Sequence, residues 1–174
     1  MTTIGLKRGT VQLVPHDPTW KDAFSREEKI LRAIIGGAAR DIQHIGSTSI
    51  PGIHAKPLID ICVAIDSLDE VPALIPALVA AGYEYMPERI SDERAFFPKG
   101  PREQRTHHLS FVQYNGAEWK SVIAFRDYMR THPEAAARYD VLKEKLAEQY
   151  ADDRYAYTAA KESFIKEIVT AATK

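Results

Sequence analysis

A single carboxylate inside an otherwise apolar strand is the feature that most constrains this chain. Residues 58–65 are apolar almost throughout, which is typical of a strand covered on both faces, and Asp60 is the one charged residue among them. An ionised carboxylate without a partner is costly to bury. We therefore expect a cation, a metal ion or a set of hydrogen-bond donors beside Asp60.

A polar turn precedes this strand and predicts an anion-binding site. It follows a short predicted strand at residues 41–45 and consists of Gly46, Ser47, Thr48 and Ser49. Glycine permits unusual backbone dihedrals, and the hydroxyls and backbone N–H groups of such a turn can bind phosphate oxygens. Lys56 would add a positive charge to them. The alternative is a turn whose short side chains satisfy its own backbone.

The composition of the whole chain limits the classes of protein to consider. Its 174 residues predict one domain that spans residues 1–174. A net charge of −1 gives no long-range attraction to nucleic acid, and the longest apolar stretch, residues 71–81, is too short to span a membrane. The single cysteine, Cys62, excludes an internal disulfide and favours the cytoplasm. We expect neither a nucleic-acid nor a membrane partner.

Hydrophobic periodicity predicts an α+β fold with a mixed β-sheet of about five strands, flanking helices and a helical C-terminal portion. The predicted strands are residues 41–45, 58–65, 83–86, 94–98 and 106–113. The predicted helices are residues 18–35, a helix that follows Ser67 and ends at 81, a helix between Gly116 and His132, and residues 133–150 and 153–172. The predicted caps are Asp17, Ser67 with Glu70, and Asn115 with Glu118.

The alternation of side chains along a strand brings Asp60 together with residues of a later strand. The parity of residues 106–113 puts His108 and Ser110 on one face. If the two strands are neighbours, Asp60, His108 and His44 converge near the polar turn as oxygen and imidazole ligands for Mg²⁺ or Mn²⁺. The alternative is a hydrogen-bonded structural pair of Asp60 and His108.

The connection between residues 88 and 105 is rich in charges of both signs. Its cationic residues are Arg89, Arg94, Lys99, Arg102 and Arg105. One interpretation is a phosphate clamp, with Arg94 as its candidate ligand-binding residue. The other is a solvated loop, the usual role of a mixed charge run.

Several motifs, in order along the chain, resemble those of the GrpB family, small bacterial proteins placed within the nucleotidyltransferase superfamily. They are His16-Asp17-Pro18-Thr19-Trp20, His44-Ile45-Gly46-Ser47-Thr48, Pro51-Gly52, residues 55–61, His107-His108-Leu109, residues 125–128, and Tyr157-Thr158 with Ala160-Lys161. The resemblance covers nearly the whole chain and implies a nucleotidyltransferase-like fold. In that superfamily the Gly-Ser turn holds a nucleotide's phosphates, and three carboxylates from two strands hold two divalent metal ions.

The chain departs from that carboxylate pattern. Asp60 matches the first carboxylate, but Cys62 occupies the second position, and the later strand offers His108 and Ser110 in place of an acid. Two-metal catalysis depends on carboxylates that neutralise paired cations. One carboxylate and one histidine suit a single metal ion better.

The sequence leaves more than one function open. The first is nucleotidyl or phosphoryl transfer, with Asp60 and His108 as catalytic and metal-binding residues and a phosphorylated small molecule or nucleotide held at the turn, Lys56 and Arg94. The second is a binding module that kept the cleft and lost the chemistry. A third is an interaction domain that uses a polar network on the C-terminal helices. That network, which we interpret as structural, comprises Arg126, Asp127, Tyr157 and Lys161. The sequence predicts no oligomeric state.

Overall fold

Four strands form a mixed β-sheet at the centre of the part of the chain that the structure describes. The computed structural model describes residues 4–173. Within them, the strands lie in the order β1-β2-β4-β3 and are β1 (Asp41–Ile45), β2 (Ile59–Ile65), β3 (Ala95–Lys99) and β4 (His107–Gln113). β2 and β4 are parallel, and each outer strand is antiparallel to its neighbour. The predicted α+β class with a mixed sheet is confirmed.

The fifth strand, predicted at residues 83–86, is wrong. This segment forms only an isolated bridge between Tyr83 and Lys99, the last residue of β3. A 3₁₀ turn at Pro87–Arg89 follows at once and redirects the chain before a ladder can form. The aromatic residues that suggested a strand pack otherwise, since Tyr83 is buried and its hydroxyl donates to Glu27 at 2.7 Å.

Helices cover both faces of the sheet. The α-helices among the described residues are α1 (Thr19–Ile35), α2 (Val71–Ala80), α3 (Ala117–Thr131), α4 (Pro133–Gln149), α5 (Arg154–Ala160) and α6 (Glu162–Ala172). The break predicted at Pro133 is observed, because α4 begins there. The single helix predicted at residues 153–172 is wrong, since the chain breaks at Lys161, which caps the end of α5 and the start of α6.

The predicted caps differ in outcome. Ser67 and Glu70 form the predicted capping box: the Ser67 hydroxyl accepts from the backbone N–H of Asp69, and Glu70 accepts from the backbone N–H of Ser67. The cap predicted at Asn115 is wrong, because α3 begins after Gly116 without a side-chain cap. Asn115 instead has a positive φ of 61°, a conformation that asparagine tolerates in tight turns.

The two faces of the sheet have different environments. Trp20 and Leu31 of α1 pack with Ile59, Ile61 and Val63 of β2 in the largest hydrophobic core. The opposite face carries the small cluster of Cys62, Ala64, Val112 and Trp119, which joins the sheet to α3. Because side chains alternate along β2, Asp60 lies on the α3 side, where a cleft remains between the sheet and the C-terminal helices.

No helix within residues 4–173 combines the length and the apolar character needed to cross a membrane.

Candidate functional site

The carboxylate of Asp60 is half-buried and has its predicted partner. Asp60 lies opposite His108 in the parallel pairing of β2 and β4, and Nδ1 of His108 is 3.1 Å from Oδ1 of Asp60. Burial opposes ionisation of Asp60, but the hydrogen bond from His108 and the charges of Lys56 and Arg154 hold its pKa below the usual value. The side chain keeps 35% of its surface exposed, so a ligand can reach it.

Burial determines the charge of His108, and its hydrogen bond to Asp60 determines the tautomer. Burial lowers the pKa of His108, and this effect outweighs the attraction of Asp60, so the ring is neutral near pH 7. Because an ionised carboxylate can only accept, the proton lies on Nδ1 and the lone pair on Nε2. Within residues 4–173 no group bonds to this Nε2, and His108 lines the cleft.

The polar turn lies against Asp60. Gly46 has a φ of 69°, and a methyl group at its Cα would overlap Oδ2 of the Asp60 carboxylate, so the turn requires glycine for both conformation and space. Ser47–Ser49 form one turn of 3₁₀ helix. The backbone N–H groups of Ser47 and Thr48 have no hydrogen-bond partner in the described part of the chain. These groups fit the anion cradle predicted from the sequence.

The three hydroxyls of the turn have different roles. The hydroxyl of Thr48 donates to the carbonyl of Leu58 at 3.1 Å, and that of Ser49 donates to the carbonyl of Gly46 at 2.7 Å. Both residues are buried, and both hydroxyls are used by backbone carbonyls. For these two residues the alternative interpretation therefore applies, in which short side chains satisfy the backbone. Ser47 is half-buried and lines the cleft together with Tyr139, and its hydroxyl forms no hydrogen bond to the turn.

The structure does not bring His44 to Asp60 and His108. His44 pairs with Ile61, so its side chain lies on the α1 side of the sheet, opposite to Asp60. Its ring stacks on Phe24 with centroids 5.0 Å apart, and Nε2 lies 2.9 Å from the hydroxyl of Thr48. The predicted convergence of His44 on the site is therefore wrong, since strand parity puts its side chain on the other face.

Three cationic side chains surround the cleft. Nζ of Lys56 lies 5.4 Å and Nζ of Lys161 lies 4.2 Å from the centre of the Tyr157 ring. Arg94 approaches from the end of the charged connection, and its Nε donates to the hydroxyl of Ser110 at 3.0 Å. Burial, reinforced by neighbouring cations, lowers the pKa of Lys56 to about 8 and that of Lys161 to about 7.

Together these groups line a cavity of about 260 Å³ between the sheet and the C-terminal helices. Its floor carries Asp60, His108 and Ser110, its rim carries the Gly46-Ser47 turn, and α5 and α6 close it with Tyr157 and Ile165. Asp60 is the only acid among the lining residues, against the cations Lys56, Arg94 and Lys161. The cleft is therefore cationic and suits an anionic ligand.

The residues around Asp60 fit one divalent cation better than two. Cys62 offers sulfur at the position of the second carboxylate of a two-metal site, whereas Mg²⁺ and Mn²⁺ prefer oxygen ligands. Oδ2 of Asp60 forms no hydrogen bond within residues 4–173, which leaves one carboxylate oxygen for one ion. The remaining oxygens would come from a bound phosphate and water.

Sequence reasoning missed the roles of Tyr157 and Lys161. Both were interpreted as structural, yet both line the cleft. Their appearance in the last motif shared with the resembling family was the available signal. For Arg126 the structural interpretation is supported, because its guanidinium donates to Gln43 at 2.6 Å and to the carbonyl of His44 at 3.1 Å.

Comparisons with known proteins agree on one family. The family model described as GrpB protein matches residues 10–171. The chain is similar to the glutamate-rich protein GrpB of Alkalihalophilus pseudofirmus, with 39% identity over 95% of this chain and 98% of the relative. It is also similar to the crystal structure of a conserved protein GrpB from Enterococcus faecalis, with a TM-score of 0.85 and 35% identity over 92% of this chain and 96% of the other.

A further relative has a different name. A dephospho-CoA kinase of Mycolicibacterium paratuberculosis is 28% identical over 96% of this chain but over only 47% of its own length. The sequence of our chain contains no Gly-rich phosphate loop of the Gly-Lys-Ser/Thr type. The similarity therefore covers one part of that kinase, and it does not extend the kinase activity to our chain.

Proposed function

This chain belongs to the GrpB family, and from that membership and the geometry of the cleft we propose that it binds a phosphorylated small molecule, with a nucleotide as the first choice. The proposal rests on the position of Lys56 and Lys161, whose ammonium groups both lie close to the Tyr157 ring in the cleft. Neither lysine forms an ion pair within residues 4–173. Two half-buried cations beside one carboxylate are costly unless an anion joins them, and a phosphate group would supply that charge.

The remaining groups of the cleft extend this phosphate site. The free backbone N–H groups of Ser47 and Thr48 would donate to phosphate oxygens, and the guanidinium of Arg94 offers a planar fork to a second phosphate. Tyr139 and Tyr157 provide aromatic surface in the same cavity. A ligand with phosphates at one end and a ring at the other would use both kinds of group.

We further propose that the site transfers a nucleotidyl or phosphoryl group. An acceptor hydroxyl would lose its proton to Nε2 of His108 while its oxygen attacks phosphorus, and the bond from phosphorus to the leaving-group oxygen breaks. Asp60 would hold the imidazole in the required tautomer and orientation. Lys56, Lys161 and Arg94 would stabilise the negative charge on the phosphate oxygens.

One Mg²⁺ or Mn²⁺ ion belongs to this proposal. Oδ2 of Asp60 would hold it together with oxygens of the bound phosphate, and the ion would neutralise phosphate charge. His108 could hold an ion only through Nε2, because Nδ1 is engaged by Asp60, and an ion there would occupy the lone pair that accepts the proton. We therefore propose Asp60 as the principal metal ligand and His108 as the proton acceptor.

A ligand-binding module without catalysis is the second candidate. The observation that favours it is Cys62, a neutral buried thiol where the superfamily has a carboxylate. Such a module would bind the same phosphorylated ligand and release it unchanged. Product that forms with the wild type and is lost in His108→Ala, at equal ligand affinity, would exclude this candidate.

We also propose a cytoplasmic location. Cys62 is free and buried, and it is the one cysteine in the chain. A structure that relies on no disulfide is suited to a reducing compartment.

A thermal-shift screen tests the proposed function. The wild type would be heated with nucleotides, sugar phosphates and coenzyme A precursors, each with and without Mg²⁺ or Mn²⁺. A ligand at about 100 times its dissociation constant stabilises the fold by roughly 2.7 kcal/mol. We expect such a shift in the wild type and in Lys145→Ala, an exposed control on α4, and its loss in Lys161→Ala. No shift with any ligand would overturn the proposal.

A further inference from the structure

A second cavity lies beside the cleft and shares one residue with it. It encloses about 280 Å³, and His108 lines both cavities. Four arginines contribute to its lining, namely Arg8, Arg89, Arg105 and Arg154. We call it the arginine cavity. Arg89 and Arg105 belong to the charged connection of residues 88–105, and the fold brings Arg8 and Arg154 to them from distant parts of the chain.

Two ring side chains, tilted by 54° to each other, lie where the cavities meet. The Phe96 and His108 rings lie 5.3 Å apart on neighbouring strands β3 and β4. The guanidinium of Arg89, which lines the arginine cavity, lies 4.8 Å from the centre of Phe96, and that of Arg94, which lines the cleft, lies 5.2 Å from it. Each cavity therefore has one arginine positioned on the same aromatic ring.

The arginine cavity has an excess of positive charge, because four arginines line it against the two acids Asp152 and Asp153. Arg105 is committed to the fold, since its guanidinium donates to Glu84 and to the carbonyl of Gly100. The guanidinium groups of Arg89 and Arg154 form no hydrogen bond or ion pair within residues 4–173. Of the acids at the cavity, Asp153 uses its carboxylate to accept from the backbone N–H groups at the start of α5.

We propose that the arginine cavity binds a second phosphate-bearing ligand at the same time as the cleft holds the first, so that His108 lies between the two. This inference rests on the proposed function and specifies it as a site for two substrates. Guanidinium groups match phosphate oxygens in pairs, and Arg89 is already oriented by Phe96. His108 is the one side chain that lines both cavities, and its free Nε2 is the group that a reaction between the ligands requires.

Calorimetric titration with inorganic pyrophosphate, in the absence of metal, tests the inference. We expect two binding events in the wild type. Arg89→Ala should weaken one event by about tenfold or more, Lys161→Ala should weaken the other, and the exposed control Arg138→Ala should change neither. Thermal unfolding of each variant would establish that it is folded.

The outcomes separate this inference from the proposed function. One event that Lys161→Ala removes and Arg89→Ala leaves unchanged would overturn the second site and keep the cleft. One event weakened by both variants would mean a single continuous site and would also overturn the inference. No binding of pyrophosphate would overturn both proposals.

Discussion

His108 lies directly opposite Asp60 on the neighbouring parallel strand, and its Nδ1 is bonded to Oδ1 of that carboxylate at 3.1 Å. The hydrogen bond from His108 helps to keep the half-buried carboxylate ionised, and burial keeps the imidazole neutral. It also leaves one free atom on each partner, Oδ2 of Asp60 and Nε2 of His108, in a cleft whose other charges are positive. The predictions below follow from that distribution of charge.

Asp60→Asn should strengthen the binding of ATP in the absence of metal, because it removes the one negative charge from a cationic cleft. We expect the affinity for ATP to rise by about severalfold. The further increase in affinity that Mg²⁺ gives the wild type should disappear in the variant. Calorimetric titration with and without Mg²⁺ measures both effects, and Asp22→Asn on the surface of α1 is the control. Equal affinities and an unchanged Mg²⁺ effect would contradict the assignment of Asp60.

Lys161→Met should stabilise the ligand-free protein while it weakens ligand binding. Burial lowers the pKa of Lys161 from 10.5 to about 7, which means that the charged side chain destabilises the folded state. The variant should gain about 1–2 kcal/mol in the free energy of unfolding. The gain should be largest below pH 7 and shrink toward pH 10, because the unfolded lysine alone binds the proton in that interval. Chemical denaturation at several pH values measures it, and a destabilised variant would contradict the account.

Ligand affinity should fall as the pH rises through the pKa of Lys161. Below about pH 7 the side chain is charged and attracts phosphate, and above it the free protein loses that charge. Lys161→Arg keeps the charge throughout, since a guanidinium does not deprotonate. The ratio of wild-type to variant affinity for ATP between pH 6 and pH 9 isolates this effect from the ionisation of the ligand. A constant ratio would show that Lys161 does not titrate in the cleft.

Gly46→Ala should destabilise the fold more than an alanine at another glycine of positive φ. The new methyl group would meet both an unfavourable φ of 69° and the carboxylate of Asp60. Gly36, with a φ of 59° and open space around its Cα, is the matched control. We expect a loss of about 1–2 kcal/mol for Gly36→Ala and a loss larger by at least 1 kcal/mol for Gly46→Ala. Equal losses in urea denaturation would contradict the packing of the turn on Asp60.

Strand parity accounts for most of what the sequence could predict about the site. The alternation along β2 and β4 put Asp60, His108 and Ser110 on one face, and the observed register places Asp60 opposite His108. The same rule also explains the failure for His44. The sequence indicated only that β1 was near the turn, while the face of His44 depends on its pairing with Ile61, which parity within β1 alone cannot give.

The contribution of the C-terminal helices could not be predicted in the same way. Lys161 reaches the cleft because the chain breaks between α5 and α6, and that break carries no glycine or proline. Periodicity therefore predicted one continuous helix. The count of five strands failed for a related reason, since the composition of residues 83–86 favours a strand but a ladder depends on which edge of the sheet lies within reach.

The central claim is that the cleft with Lys56 and Lys161 is a phosphate site. Its most direct test is the dissociation constant of ATP for the wild type, the double variant Lys56→Ala/Lys161→Ala and the control Lys145→Ala, each shown to be folded. We expect the control to match the wild type and the double variant to bind at least about a hundredfold more weakly, as the loss of two charged contacts implies. An affinity that is measurable in the wild type and unchanged in the double variant would place the ligand elsewhere and contradict the claim.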